Sequence, residues 1–174
     1  MSKTLKNYRR EYTIWAAYRA AQAGSSKAKG IEFSSALKAC GVIDYIDKYD
    51  KRDITQNEFN KLHSKWCNYI ITYIKNEYSK SISYGIAAKL LGVFLKGYFI
   101  LANNETTSLA KAIHPAIDSF LLKEIDEVKD TKLSKRYKWQ KLEENDYYSL
   151  LNELCAFLDK DEPLWYLEKY WVLD

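Results

Sequence analysis

The amino-acid sequence predicts an all-α protein: a single globular helical domain, residues 1–174, with about seven or eight helices around a buried central helix at 82–101. Three observations predict it. Apolar residues recur at the 3.6-residue period of a helix along most of the chain, without the sustained alternation of half-buried strands. Only six glycines and two prolines punctuate 174 residues, too few for the turns of a β-fold. The run from Ile82 to Leu101 is apolar or small at nearly every position, which suits a helix buried around most of its circumference.

The elements follow in order. From Thr4 to about Ala23, Leu5, Tyr8, Tyr12, Trp15, Ala16 and Ala20 form an apolar stripe, and Gly24 supplies a stop. This stripe is expected to face the core, with Lys6, Arg9, Arg10 and Arg19 on the solvated side. A flexible GSSKAKG link leads to a second helix around Phe33 to Ala39, and a short apolar piece, Val42 to Tyr49, follows Gly41. Thr55-Gln56-Asn57-Glu58 has the form of a capping box and starts a helix with Phe59, Leu62, Trp66, Tyr69, Ile70, Tyr73 and Ile74 in step. His63 lies beside that stripe. Ser81 or Ser83 can cap the central helix, and Asn103-Asn104 suit the turn that ends it.

A short helix is expected within Glu105 to Ile113, before His114-Pro115. Asp118 then stands at an N-cap or first-turn position ahead of Phe120, Leu121, Leu122, Ile125 and Val128. Asn145 or Asp146 is a candidate cap for a helix that turns Tyr147, Leu150, Leu151, Leu154, Cys155 and Leu158 inward. Pro163 opens an aromatic tail, in which Trp165, Leu167 and Trp171 are expected to close the core.

Composition narrows the function classes. Cys40, Cys67 and Cys155 are isolated and match no zinc or CxxC spacing, so neither a disulfide framework nor a metal site is indicated. The histidines are far apart in sequence. With no phosphate-cradling or dinucleotide fingerprint, no cofactor is implied. Lys89 and Lys96 interrupt the apolar run and argue against a membrane span; with no secretory signal pattern, a cytoplasmic location is expected. The net charge of +4 is modest, so the local distribution carries more information.

Two stretches stand out. At about 100° per residue, Gly85, Lys89, Gly92 and Lys96 share one stripe of the central helix. Each glycine costs about 1 kcal/mol relative to alanine, so a backbone or a ligand must come close on that face. The stripe can be the narrow solvated edge of a core helix or a functional face. The second stretch, Lys129 to Lys141, holds six basic residues against one acid and interleaves Tyr137 and Trp139. It can track a phosphate backbone and stack on bases, or serve as an ordinary exposed loop.

The stretch from Ser81 to Lys123 resembles the helix-hairpin-helix DNA glycosylases, the archaeal 8-oxoguanine branch above all. Gly85-Ile86-Ala87-Ala88-Lys89 stands where that family has a glycine hairpin ending in lysine, and Pro115-Ala116-Ile117-Asp118 stands near its Pro-Val-Asp. The paired hairpin glycines are missing, and the aspartate lies one residue further from its proline. The resemblance implies a DNA-binding helical protein acting on a flipped damaged base. Lys89 is then the nucleophile and Asp118 its activating carboxylate. Gly85, Gly92, Lys96 and His114 would adjoin the nucleic acid, and Lys135, Arg136 and Lys138 would hold its phosphates. The alternative is a non-catalytic helical interaction protein that binds a protein partner or a second copy of itself, a reading fed by the aromatic tail.

Overall fold

The computed structural model describes residues 4–24, 27–102 and 104–171; the link serines Ser25 and Ser26 and the expected turn residue Asn103 lie outside them. Among the described residues there are nine α-helices and no strand. In order these are α1 (Leu5–Gln22), α2 (Gly30–Ala39), α3 (Val42–Asp47), α4 (Gln56–Tyr78), α5 (Tyr84–Tyr98), α6 (Ser108–Ala112), α7 (Ser119–Lys129), α8 (Leu133–Arg136) and α9 (Glu144–Cys155). Short 3-10 turns cover Ile100–Ala102, Trp139–Lys141 and Leu164–Tyr170.

Helix α5 is the axis of the molecule. Ser83 caps it, its Oγ accepting from the Ile86 N–H at 3.3 Å, and twelve of its fifteen residues are buried. Tyr84–Ala102 is apolar and long enough to cross a bilayer, but 72% of that window is buried inside the protein, as in the core helix of a globular domain. Helices α1 and α4 pack along α5. The bare Gly97 admits the Thr13 side chain of α1, and Arg9 lies over the Tyr98 ring. At the other end Gly24 and Gly85 both meet Trp139, so α1 and α5 run antiparallel.

The capping box of α4 forms as the sequence predicts: Thr55 Oγ1 accepts from the Glu58 N–H, and the Glu58 carboxylate accepts from the Thr55 N–H at 2.8 Å. Other expectations need correction. The buried face of α1 is Thr13, Ile14, Ala17 and Ala21, whereas Leu5 (82% exposed), Tyr8, Tyr12 (68% exposed) and Trp15 point outward. Small residues let α1 and α5 approach closely, and in a helix rich in both kinds that close fit outweighs the larger area of the rings. Helix α9 starts after Glu143 rather than at Asn145 or Asp146, and Cys155, at its last position, is exposed. Phe120 and Val128 of α7 are also exposed. The segment after Pro163 winds as a 3-10 turn and buries Leu164 and Leu167.

Candidate functional site

Each member of the Gly-Lys-Gly-Lys stripe on α5 meets a different part of the C-terminal half. A Cβ on Gly85 would lie 2.0 Å from the Trp139 carbonyl oxygen, and the Gly85 N–H donates to the Leu142 carbonyl at 3.0 Å. Lys89 Nζ donates to Asp118 Oδ2 at 2.9 Å and sits 4.5 Å from the centre of the Trp139 ring. Gly92 faces the backbone of Pro115 and Ala116, with a hypothetical Cβ 3.2 Å from Ala116 N and Cα. Lys96 pairs with Glu168 of the tail, whose other carboxylate oxygen accepts from the Ala116 N–H at 2.9 Å. The stripe is therefore a docking track for the chain's own later segments. Gly85 and Gly92 are closed to nucleic acid by protein backbone, which is the close approach that two helix glycines demand.

Lys89 and Asp118, 29 residues apart in sequence, form a buried ion pair, 7% and 8% exposed. Asp118 also caps α7, its Oδ1 accepting from the Leu121 N–H at 2.9 Å. One carboxylate thus holds an ammonium on one oxygen and a helix N-terminus on the other. Trp139 covers the ammonium with a π face, a second stabilising contact for a cation away from water.

Beside this pair runs an open groove of about 370 Å³ lined by Ser119 and Lys123 of α7, Ser134 and Lys135 of α8, and Tyr137, Lys138, Trp139 and Gln140. Trp139 is the shared wall, since it lines the groove and also covers Lys89. Asp126 builds the connection: its carboxylate accepts from the Leu133 and Ser134 N–H groups and from the Thr131 and Ser134 hydroxyls. Burial pushes that carboxyl up, but these four bonds outweigh it and hold it below the usual range. Lys135 and Lys138 are exposed at the groove, whereas Arg136 turns away to pair with Glu153. Lys123 joins them without having been singled out in the sequence; its signal is a cation on the solvent side of a short helix.

His114 is 1% exposed and cannot touch a nucleic acid at the surface; it belongs to a second buried assembly. His63, expected on the flank of α4, is fully buried, and its ring centre is 4.3 Å from that of His114. The Asn60 Oδ1 acceptor lies 2.9 Å from His114 Nε2, which makes that nitrogen the N–H and leaves Nδ1 to accept from the Tyr147 hydroxyl at 3.2 Å. His63 Nδ1 lies 3.1 Å from the Tyr84 hydroxyl. Burial drives the His63 pKa down to about 3; burial and then the neighbouring His63 hold His114 well below its ordinary value. Both rings are neutral in the fold. No group of three or more metal-ligating side chains occurs among the described residues.

Neutral buried histidines make stability depend on pH. A folded pKa depressed below the unfolded value of about 6.5 gives stability that is complete above pH 6.5 and is lost as pH falls toward 3. At pH 5 the loss from His63 alone is about 2 kcal/mol, and His114 adds in the same direction. Urea midpoints at pH 7 and pH 5 check this, with a His63→Gln, His114→Gln double variant expected to flatten the difference. An unchanged midpoint in the parent protein rules the account out.

No protein-family model, curated protein or solved structure matches this chain, so the reading of the site rests on its own residues.

Proposed function

We propose that this protein binds DNA through the groove beside Trp139, with Lys89 and Asp118 as an amine centre of the glycosylase or lyase type. The observation that carries the reading is the meeting, at one place, of three lysines around a groove with a buried lysine–aspartate pair behind its aromatic wall. Lys123, Lys135 and Lys138 take phosphates as point charges, and the half-buried Tyr137 offers a ring to an unstacked base. The resemblance of residues 81–123 to the helix-hairpin-helix glycosylases assigns the chemistry to the same two residues.

The resting pair is closed, so reaction requires the Trp139 turn to move aside for a flipped nucleotide. Asp118 then takes a proton from the Lys89 ammonium, and the free amine forms a bond to the sugar C1′. The bond from C1′ to the base breaks, and the base leaves with its electron pair and takes the proton that Asp118 holds. One of the two protons on the nitrogen then moves to O4′ as the C1′–O4′ bond breaks and opens the sugar ring, which gives the protonated imine that borohydride traps.

The test is fluorescence anisotropy of a labelled duplex carrying an abasic-site mimic, against the intact duplex, across a salt series. Three phosphate contacts give a slope of log K against log salt of about −3. Lys135→Gln and Lys138→Gln are each expected to reduce its magnitude by about one, and Arg136→Gln to leave it unchanged. No binding at low salt ends the DNA reading. Binding with no borohydride-trapped product on a duplex that carries a true abasic site retains the groove and removes the chemistry.

A second reading, that of a helical interaction protein, is favoured by α1, where Leu5, Tyr8, Tyr12 and Trp15 form an exposed stripe at helical spacing. Sedimentation analysis showing a stable dimer or complex, together with no DNA binding, supports it.

A further inference from the structure

A second cationic pocket lies at the end of α1 and α5 remote from Trp139. It encloses about 140 Å³, and its polar lining comes from Lys6 and Arg9 of α1, Asp47 of α3 and Lys51 of the following loop, with Tyr49 and Tyr98 among its walls. Two segments distant in sequence, α1 and the stretch from α3 to Lys51, thus bring three cations to one small cavity with a single carboxylate.

That carboxylate is already occupied. Asp47 Oδ1 lies 2.9 Å from Lys6 Nζ and accepts from the Tyr98 hydroxyl at 2.7 Å. Burial pushes the Asp47 carboxyl up, but the bonds from Lys6 and Tyr98 outweigh it and keep it below the usual range. Asp47 therefore offsets one of the three positive charges and leaves two, Arg9 and Lys51. Neither has an ion-pair partner among the described residues.

Arg9 supplies the sharper observation. Its guanidinium carbon sits 5.4 Å from the centre of the Tyr98 ring, and its Nε is buried with no hydrogen-bond partner. A buried N–H of a charged group left unpaired is costly, so such donors normally meet an acceptor. Here no side chain among the described residues supplies one, and the cavity that Arg9 lines is large enough for a small anion. Lys51 adds a related cost, because its φ of 62° places a non-glycine residue in the left-handed region. Strain of this kind persists where the position is otherwise constrained, and functional sites are where it gathers.

We propose that this pocket binds a phosphate dianion, either inorganic phosphate or the terminal monoester of a larger ligand. Its two negative charges match the two uncompensated cations. An oxygen of the phosphate accepts from a terminal N–H of the Arg9 guanidinium while Lys51 closes the open side as a point charge. The site is separate from the lysine groove at Trp139 and does not depend on its function.

The experiment is calorimetric titration of the full chain with inorganic phosphate at ionic strength held constant with chloride, repeated with a 5′-phosphorylated dinucleotide and its unphosphorylated form. Saturable binding of phosphate is expected in the parent protein. Arg9→Met, which keeps the stem over Tyr98, is expected to weaken it roughly tenfold or more, a charged hydrogen bond being lost. Lys51→Gln is expected to weaken it several-fold and decides the matter if Arg9→Met does not fold. Lys65→Gln, at an exposed position of α4 away from both sites, makes the same change of charge and is expected to have no effect. Binding of the phosphorylated dinucleotide alone identifies a monoester as the ligand. No saturable binding of either phosphate probe, or an equal loss with Lys65→Gln, overturns the proposal.

Discussion

Lys89→Met is expected to destabilise the protein by about 3–5 kcal/mol, because it leaves the Asp118 carboxylate buried without its cation. Asp118→Ala is expected to fall at the upper end of that range. It strands the Lys89 ammonium beneath Trp139, and it also removes the cap from α7, itself worth about 1 kcal/mol. The double variant Lys89→Met, Asp118→Asn removes both charges together, and asparagine can still accept from the Leu121 N–H. Its expected loss is only about 1 kcal/mol, since a buried ion pair contributes little over a neutral replacement of similar volume. Against single losses of about 3–5 kcal/mol each for Lys89→Met and Asp118→Asn, that gives a coupling of at least about 5 kcal/mol, measured by urea unfolding of the parent, these two single variants and the double variant in a double-mutant cycle. Additive losses mean that the two residues do not act as a pair in solution. The double variant also serves the proposed chemistry, as a folded protein without the amine, in which imine trapping must vanish.

The second large effect is expected at Gly85. Gly85→Ala places a Cβ 2.0 Å from the Trp139 carbonyl oxygen, a backbone atom that moves only if the Trp139–Lys141 turn withdraws. The expected cost is about 3 kcal/mol, set against a gain of about 1 kcal/mol from the better helix propensity of alanine. Gly97→Ala in the same helix is the control. There the nearest atom is the end of the Thr13 side chain at 2.7 Å, which has more freedom to give way, so its net effect is expected to be much smaller. The two variants share a propensity gain and differ in what stands opposite. Their ranking by urea midpoint therefore reads the docking of the Trp139 turn alone. If Gly85→Ala is as stable as Gly97→Ala, that turn does not hold the position described.

These experiments address a stripe that was half legible in the sequence. The spacing of Gly85, Lys89, Gly92 and Lys96 sets them on one face of a helix, and the glycines require a close approach there, because both follow from the α-helical period and the cost of glycine. What approaches is not written locally. Trp139, the Pro115–Asp118 stretch and Glu168 come from three segments up to 72 residues away; Trp139 stood in the sequence as a ring in a basic loop, Asp118 as a helix cap and, through the resemblance, as a carboxylate for Lys89, and Glu168 carried no signal. The residues expected to adjoin DNA separate accordingly. Lys135 and Lys138 remain at the surface, Arg136 is held by Glu153, and Gly85, Gly92 and His114 are inside.

By itself the sequence determined the all-α class, the capping box at Thr55 and the place of an apolar helix within residues 82–101 at the centre, and it narrowed the cap of that helix to Ser81 or Ser83 and set Asp118 at the start of α7. Each depends on periodicity, or on hydrogen bonds between residues three apart. Tertiary structure alone decided which face of α1 is buried. Leu5, Tyr8, Tyr12 and Trp15 offer more apolar area, but Thr13, Ile14, Ala17 and Ala21 fit against α5. It also decided that His63 and His114, 51 positions apart, share one dry cluster, and that Lys89 lies beneath Trp139 rather than in solvent. Pattern reports how much apolar surface a helix presents, whereas close packing selects the surface that fits, and fit depends on partners that only the folded chain brings together.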